Sequence, residues 1–359
     1  MALHFHPLKV KQVRRETTDC VSVSFDIPDQ LKEEFKFQHG QNITIKKEFH
    51  GEEARRSYSI CTSPFDNELR VAIKKVDQGL FSTYANIELK KGDVLEVMPP
   101  TGKFNTQLSP LNKKCYAAFA AGSGITPILS IIKTTLQTEP QSEFTLVYGN
   151  RSRSSIIFFE ELEALKNKFI RRFNFINILS REKTDAPINF GRISPEKLQD
   201  LDNLINYKNI DEFFLCGPEE MIFCIKNFIE EQGISNDHIH FELFTSPDTA
   251  AIKKVRSETQ KDNTAKSNIT IKVDGRTFEF DLPMNSNSSI LDAALHQGAD
   301  LPFACKGGVC CTCKARLTEG EVDMDVNWGL EHEEVKQGYI LTCQAHPKTQ
   351  KIVVDFDIK

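Results

Sequence analysis

The sequence predicts three folded modules in series: an antiparallel β-barrel, an α/β domain on a parallel sheet, and a small α+β domain. Three observations carry this. Residues 5–108 hold short stretches of alternating hydrophobicity separated by turn residues, the spacing of a small barrel. From about Lys113, apolar runs of strand length alternate with helical stretches, the signature of βαβ units. Near the C-terminus a hairpin signal and a short helix precede a loop that carries Cys305, Cys310 and Cys313. With 359 residues, 40% of them hydrophobic, the chain can bury several cores.

The barrel strands are expected at 8–13, 20–27, 43–49, 69–76 and 94–98, with Gly40, Gly51 and Lys91-Gly92-Asp93 marking turns. A further strand carries Arg56-Ser-Tyr58-Ser59-Ile-Cys-Thr62. In the second module, strands at 115–121, 144–148, 173–179 and 212–216 alternate with helices at 126–136, 156–167, 195–204 and 218–232. Residues 246–267 are polar and lack hydrophobic periodicity, so they read as a linker. Beyond it, 269–273 and 277–281 flank Asp274-Gly275-Arg276, a hairpin turn, and 289–297 reads as a helix. The expected domains are therefore 1–108, 109–245 and 268–359, joined by the linker 246–267. There are no internal repeats.

Cys305-Lys-Gly307-Gly308-Val-Cys310-Cys311-Thr-Cys313, with Cys343 far downstream, has the C-x4-C-x2-C spacing of a plant-type [2Fe–2S] ferredoxin. Three thiolates on one tight loop wrap two irons and the fourth closes the site. The two glycines let backbone N–H groups turn toward the sulfurs. The competing reading is structural zinc held by Cys310-x-x-Cys313 and Cys343-x-x-His346. It leaves Cys305 without a role and the glycines unexplained. Cys311 reads as a small shielded residue rather than a ligand. Cys20, Cys61, Cys115, Cys216, Cys224 and Cys311 read as reduced thiols, and no signal-like or membrane-length apolar segment is present, so a reducing cytoplasm is expected.

The net charge of −5 argues against nucleic acid as the main partner. From residue 268 onward there are 14 acidic and 9 basic residues, so the whole imbalance sits on the cysteine-bearing module. Ordinary solvation accounts for this, as does an acidic docking face for an electron acceptor.

Two strand–helix junctions carry chemistry. Ala121-Gly122-Ser-Gly124-Ile-Thr126-Pro127 supplies small residues for close backbone approach and a helix N-terminus for a phosphate. It is not G-x-G-x-x-G, which disfavours an ordinary Rossmann dehydrogenase. Cys216-Gly217-Pro218-Glu-Glu-Met221 opens the next such helix. Cys216 alone reads as a buried small hydrophobe, and Gly-Pro directly after it favours a functional role. Cys224 is expected in the core, as is one of Phe241 and Phe244.

The pattern Arg56-x-Tyr58-Ser59-x-x-Thr62, followed by Gly79-x-x-Ser82, Gly122-Ser-Gly124-Ile-Thr126-Pro127 and Cys216-Gly217-Pro218, resembles the ferredoxin–NADP reductase superfamily. The resemblance implies that Arg56 pairs with a flavin pyrophosphate, Tyr58 lies against the isoalloxazine, and Ser59 sits near its N5 atom. Gly79 and Ser82 then start a helix facing the flavin phosphates, with a plain N-cap as the alternative for Ser82. Ile73, Lys74 and Val76 line the ribityl side. Gly122, Gly124, Thr126 and Pro127 form the nicotinamide signature, while Cys216, Gly217, Pro218 and Met221 orient the nicotinamide, making Ser59 and Cys216 the expected catalytic residues. Arg151, Ser180 and Arg181 are the candidates for a 2′-phosphate, which selects NADPH over NADH.

The module order resembles the reductases of multicomponent oxygenases, with a C-terminal β-grasp ferredoxin domain, and the likeness runs over nearly the whole chain. Strings such as Glu53-Ala-Arg-Arg-Ser-Tyr-Ser-Ile-Cys and Phe144-Thr-Leu-Val-Tyr-Gly-Asn-Arg are similar to those of phenylacetyl-CoA epoxidase reductases. The resemblance implies FAD, a [2Fe–2S] cluster held by Cys305, Cys310, Cys313 and Cys343, and NADPH. It further implies electron delivery to diiron oxygenase subunits that epoxidise the ring of phenylacetyl-CoA, with no membrane or nucleic acid involved. An aromatic-ring or alkane oxygenase is the alternative acceptor, and a pure electron-transfer module the alternative class.

Overall fold

The computed structural model describes residues 4–244 and 265–358. Its larger unit is built from His6–Ala54 and Tyr58–Phe244, and its smaller one contains every described residue after 264. No helix among the described residues is long and apolar enough to cross a membrane.

The first module is a six-stranded antiparallel sheet of β1 (His6–Thr17), β2 (Cys20–Asp26), β3 (Asn42–Phe49), β4 (Glu52–Ser59), β5 (Leu69–Lys74) and β6 (Val94–Val97), with a helix α1 (Leu80–Ile87) after β5. The strand order is β4-β3-β6-β1-β2-β5, and a bridge from Ile60 to Val71 joins the two ends into a barrel. Alternation decides the faces. Val21, Val23 and Phe25 point into the barrel core with Val71 and Ile73.

The second module is parallel throughout, in the order β11-β10-β7-β8-β9. Its elements are β7 (Cys115–Ala121), α2 (Ile125–Thr138), β8 (Glu143–Asn150), α3 (Phe159–Lys168), β9 (Phe173–Leu179), α4 (Pro195–Ile205), β10 (Glu212–Gly217), α5 (Glu219–Glu231) and β11 (Ile239–Leu243). β7, Cys-Tyr-Ala-Ala-Phe-Ala-Ala, is buried almost throughout, as a strand flanked by others on both sides requires. Helix α3 starts later than the sequence pattern suggests, because a 3-10 turn occupies Arg153–Ser155 and Phe158 sits at φ 61°.

Helix α2 also braces the barrel. Ser130 Oγ donates to the Thr62 carbonyl at 2.6 Å, Thr134 Oγ1 to Ser63 Oγ at 3.0 Å, and Lys133 pairs with Asp66 at 2.5 Å. The connection between the modules is pinned by Glu139, which is fully buried. Its carboxylate accepts from Ser109 N, Asn112 Nδ2, Tyr116 OH and Ser142 Oγ at 2.6–3.0 Å, so the buried charge is compensated.

The C-terminal unit is a mixed sheet in the order β13-β12-β18-β14-β16, from β12 (Lys266–Val273), β13 (Arg276–Pro283), β14 (Lys314–Glu319), β16 (Tyr339–Leu341) and β18 (Lys351–Asp355). β15 (Val322–Met324) and β17 (Ala345–Pro347) form a separate pair, and α6 (Ile290–His296) packs Ile290, Leu291 and Ala294 onto the sheet core. A short helix α7 (His332–Lys336) precedes β16. The β12–β13 hairpin turns at Asp274 and Gly275, both at positive φ, as a two-residue primed turn demands. The expected linker lies outside the described residues except at its end, where Lys266 and Ser267 already pair with Pro283 and Leu282.

Candidate functional site

In the larger unit the residues of the Gly122 and Cys216 motifs lie at the C-terminal ends of the parallel strands, where ligands bind in open α/β sheets. Cys216 on β10 and Glu242 on β11 are neighbours in register. Ser59, at the end of barrel strand β4, donates its hydroxyl to Glu242 Oε2 at 2.9 Å. Cys216 is fully buried. Burial, reinforced by the Glu242 carboxylate, pushes its thiol well above the usual range, so it stays neutral. Ser59, Cys216 and Glu242 thus bring the barrel and the sheet to one point. Glu242 was passed over in the sequence; the signal there was a lone acid inside the apolar string Phe241-Glu-Leu-Phe244.

Beside them opens a cavity of about 600 Å³, lined by Gly122, Gly124, Gly217, Pro218, Met221 and Lys74 among others. Arg151 and Ser180 also line it, and Arg181 lies just beyond, its N–H donating to the Arg151 carbonyl at 2.9 Å. Arg192 lines it as well; it comes from irregular chain and no sequence pattern announces it. Phe244 lines the cavity and is exposed, whereas Leu243 takes the core position expected of a phenylalanine. Cys224 is half-buried rather than in the core, because Ile222, Ile225, Phe228 and Ile229 fill the inner face of α5.

The glycines divide by role. Gly122 sits at φ 54°, and a Cβ there meets only Lys74 Nζ, at an ordinary contact distance of 3.7 Å. At Gly124 a Cβ lands 2.1 Å from the Cys216 carbonyl oxygen, so this glycine serves the packing of α2 on β10. Thr126 and Pro127 are buried in α2, with Thr126 Oγ1 donating to the Ser123 carbonyl at 3.0 Å; they shape the turn and present no side chain to the cavity.

On the barrel, Arg56 and Tyr58 are half-buried on β4, and Tyr58 packs on Phe81 with ring centres 5.7 Å apart. Thr62 is buried, its hydroxyl donating to the Glu68 carbonyl at 2.7 Å. Ile73 corrects the expectation: its side chain is in the barrel core, since alternation turns it inward, and only its backbone can face a ligand. Lys74 turns toward the cavity and Val76 is exposed. Gly79 is the N-cap of α1 and has no side chain to occupy the first-turn N–H groups. Ser82 lies inside that first turn; its hydroxyl accepts from Val76 N and donates to the Gly79 carbonyl, so it braces the loop rather than capping the helix.

In the smaller unit Cys305, Cys310, Cys313 and Cys343 are all buried. Three of them on one loop and the fourth from the chain after β16 suit a cluster held by four thiolates. Gly308 is at φ 74°, and a Cβ there meets the Val326 carbonyl oxygen at 2.9 Å. Gly307 N–H donates to Cys305 Sγ at 3.3 Å. His346, the fourth ligand of the zinc alternative, is turned to Asp325 with 3.0 Å between Nε2 and Oδ2.

Sequence comparison shows the class of protein to be a flavin- and pyridine-nucleotide-dependent reductase joined to an iron–sulfur module. Residues 7–106 match the oxidoreductase FAD-binding domain family, 119–227 the oxidoreductase NAD-binding domain family, and 271–348 the 2Fe-2S iron-sulfur cluster binding domain family. The chain is 46% identical over 358 residues to one of the subunits of the 1,2-phenylacetyl-CoA epoxidase of Escherichia coli (strain K12), covering 99% of this chain and 98% of that one. It is 31% identical to the ferredoxin reductase component of 3-ketosteroid-9-alpha-monooxygenase of Rhodococcus rhodochrous, covering 97% and 96%. The fold is that of phthalate dioxygenase reductase, with a TM-score of 0.58 at 22% identity and 98% of both chains covered. The chain belongs to the ferredoxin–NADP reductase superfamily, among the oxygenase reductases that carry a C-terminal [2Fe–2S] ferredoxin domain. It is an NAD(P)H-dependent oxidoreductase that uses FAD and a [2Fe–2S] cluster to deliver electrons to an oxygenase component.

Proposed function

We propose that the chain takes its electrons from NADPH and passes them to a diiron oxygenase that epoxidises the ring of phenylacetyl-CoA. The 46% identity to a component of the Escherichia coli epoxidase over nearly the full length supports the acceptor. The gathering of Arg151, Ser180 and Arg192 around the cavity, with Arg181 beside them, supports the nucleotide. The six cysteines outside the cluster set, none of them in a disulfide, support a reducing cytoplasm. The domains run 1–108 and 109–245, and the third begins with β12 at Lys266 and runs to 359, with the linker before it.

The observation that carries the reading is the meeting of Ser59, Glu242 and Cys216 at the edge of the nucleotide cavity. When bound, the flavin converts a hydride pair into single electrons and the cluster carries them onward. The protein's part is placement. Arg56 and the first-turn N–H groups after Gly79 hold the flavin phosphates, and Tyr58 covers its ring. Gly122, Gly124, Thr126 and Pro127 shape the turn that receives the nucleotide phosphates. Gly217, Pro218 and Met221 shape the nicotinamide wall. Cys216, buried and held neutral, backs that wall from the core side, and Ser59 is fixed by Glu242 where the hydride is received. Cys305, Cys310, Cys313 and Cys343 hold the cluster.

Anaerobic titration of the purified protein with NADPH and with NADH, followed by visible absorption and spin resonance, tests this. NADPH is expected to bleach the flavin and then raise a [2Fe–2S] signal, which decays on adding the oxygenase with phenylacetyl-CoA. Faster reduction by NADH, or no turnover with that oxygenase, defeats the nucleotide or the acceptor assignment respectively.

A further inference from the structure

The cysteine loop is held in a conformation it does not favour by itself. Lys306 and Cys311 are non-glycine residues at φ 50° and 56°, the left-handed region that an L residue disfavours. Each is tethered to chain outside the loop. The Cys311 thiol donates to the Gly329 carbonyl, and Gln344 Nε2 donates to the Lys306 carbonyl at 2.8 Å. Gln344 reaches further than this. The same nitrogen is 3.1 Å from the Cys343 carbonyl oxygen and 3.7 Å from Cys343 Sγ. All three neighbours are acceptors, so the amide nitrogen is the end that faces them; one of its two hydrogens serves the Lys306 carbonyl and the other is shared between the Cys343 carbonyl and sulfur. The residue is also clamped. Its carbonyl accepts from Asp325 N at 3.1 Å, and its Cγ is 3.1 Å from where a Gly308 Cβ would stand.

We infer that Gln344 is a positioning residue of the iron–sulfur site, locking the loop of Cys305 and Cys310 to the element of Cys343 and donating an N–H to the Cys343 sulfur. The inference rests on reading the four cysteines as [2Fe–2S] ligands. An N–H aimed at a ligand sulfur stabilises the extra negative charge of the reduced cluster. A side chain without the donor leaves the cluster harder to reduce and the loop less firmly held.

The test uses Gln344→Leu and Gln344→Met, neither of which has the donor; methionine keeps the length of the side chain. In the full-length holoenzyme, redox titration of the cluster is expected to show a tenfold shift against reduction, about 59 mV for a one-electron couple. Iron release to a chelator is expected to be roughly 10-fold faster. Flavin bleaching by NADPH should be unchanged. Wild-type potential, g-values and iron release in the loaded variants overturn the inference. If neither variant loads a cluster, wild-type protein with ¹⁵N-labelled glutamine side chains decides. A ¹⁵N coupling to the reduced cluster supports the contact, and its absence overturns it. Wild-type protein lacking iron and sulfide defeats the cluster reading itself, and this inference with it.

Discussion

Ser59 and Glu242, 183 residues apart, are joined by a 2.9 Å hydrogen bond that links the last residue of a barrel strand to the final strand of the parallel sheet. Because Cys216 pairs in register with Glu242, three elements fix one another within a single point of contact. A hydroxyl held this way has little freedom, which is the condition for placing a reacting atom well.

Removing that hydroxyl should therefore damage hydride delivery more than nucleotide binding. Ser59→Ala is expected to slow NADPH-driven flavin bleaching roughly 100-fold, with the nucleotide KM and the cluster spectrum unchanged. Glu242→Gln keeps an acceptor for Ser59 and should be the milder change. Stopped-flow absorbance on both variants checks this, and a wild-type rate in Ser59→Ala would make the bond purely structural.

Gly122 and Gly124 stand two residues apart and should fail differently as alanine. At Gly124 the new methyl meets the Cys216 carbonyl oxygen at 2.1 Å and its carbon at 2.5 Å, both backbone atoms that cannot rotate away. Helix α2 must then move off β10, at a cost of about 1–3 kcal/mol or more, and the displaced Cys216 should impair hydride transfer. At Gly122 the methyl has room, and only the positive φ costs, about 1–2 kcal/mol. Gly122→Ala should keep its flavin and show a raised nucleotide KM. Thermal melts with flavin fluorescence separate the two.

The architecture was legible because each module has its own period: alternation in the barrel, strand–helix alternation after Lys113, and cysteine spacing in the last. The spacing of the cysteines points to a cluster-binding module, which the match of residues 271–348 to the 2Fe-2S domain family supports. Glu242 and Arg192 could not be read from the sequence, because their placement depends on strand register and loop closure that no local pattern encodes. Ile73 shows the reverse failure. Position in a motif suggested a ligand contact, but the two-residue period of β5 sends its side chain into the barrel core. Gly124 was legible as a glycine, though its reason is a backbone neighbour 92 positions away in the chain rather than a phosphate.

Cys20 gives a pH prediction. Burial, with the Glu16 and Asp19 carboxylates nearby, pushes its thiol from 9.0 to about 12. The folded value is raised, so the thiol's contribution to stability is complete below pH 9. Above pH 9 the unfolded chain ionises while the folded one does not, and the contribution is lost as pH rises toward 12. Melting temperatures between pH 8 and pH 10.5 should fall more steeply for the wild type than for Cys20→Ala. Parallel curves would show that other groups govern the alkaline limb.

The arginines around the cavity give the last prediction. Arg151 and Arg192 line it, and Arg181 is held beside Arg151 by a backbone hydrogen bond of 2.9 Å. A hydrogen bond to a charged group contributes about 1.5–3 kcal/mol, and only NADPH carries the 2′-phosphate that could receive it. Arg181→Ala and Arg192→Ala should each raise the KM for NADPH roughly 10- to 100-fold and leave that for NADH nearly unchanged. Because the two side chains would share one phosphate, the double variant should lose less than the product of the single effects. Steady-state reduction of ferricyanide with both nucleotides measures this without the oxygenase. Equal losses for NADPH and NADH would mean that these arginines shape the cavity without reading the 2′-phosphate.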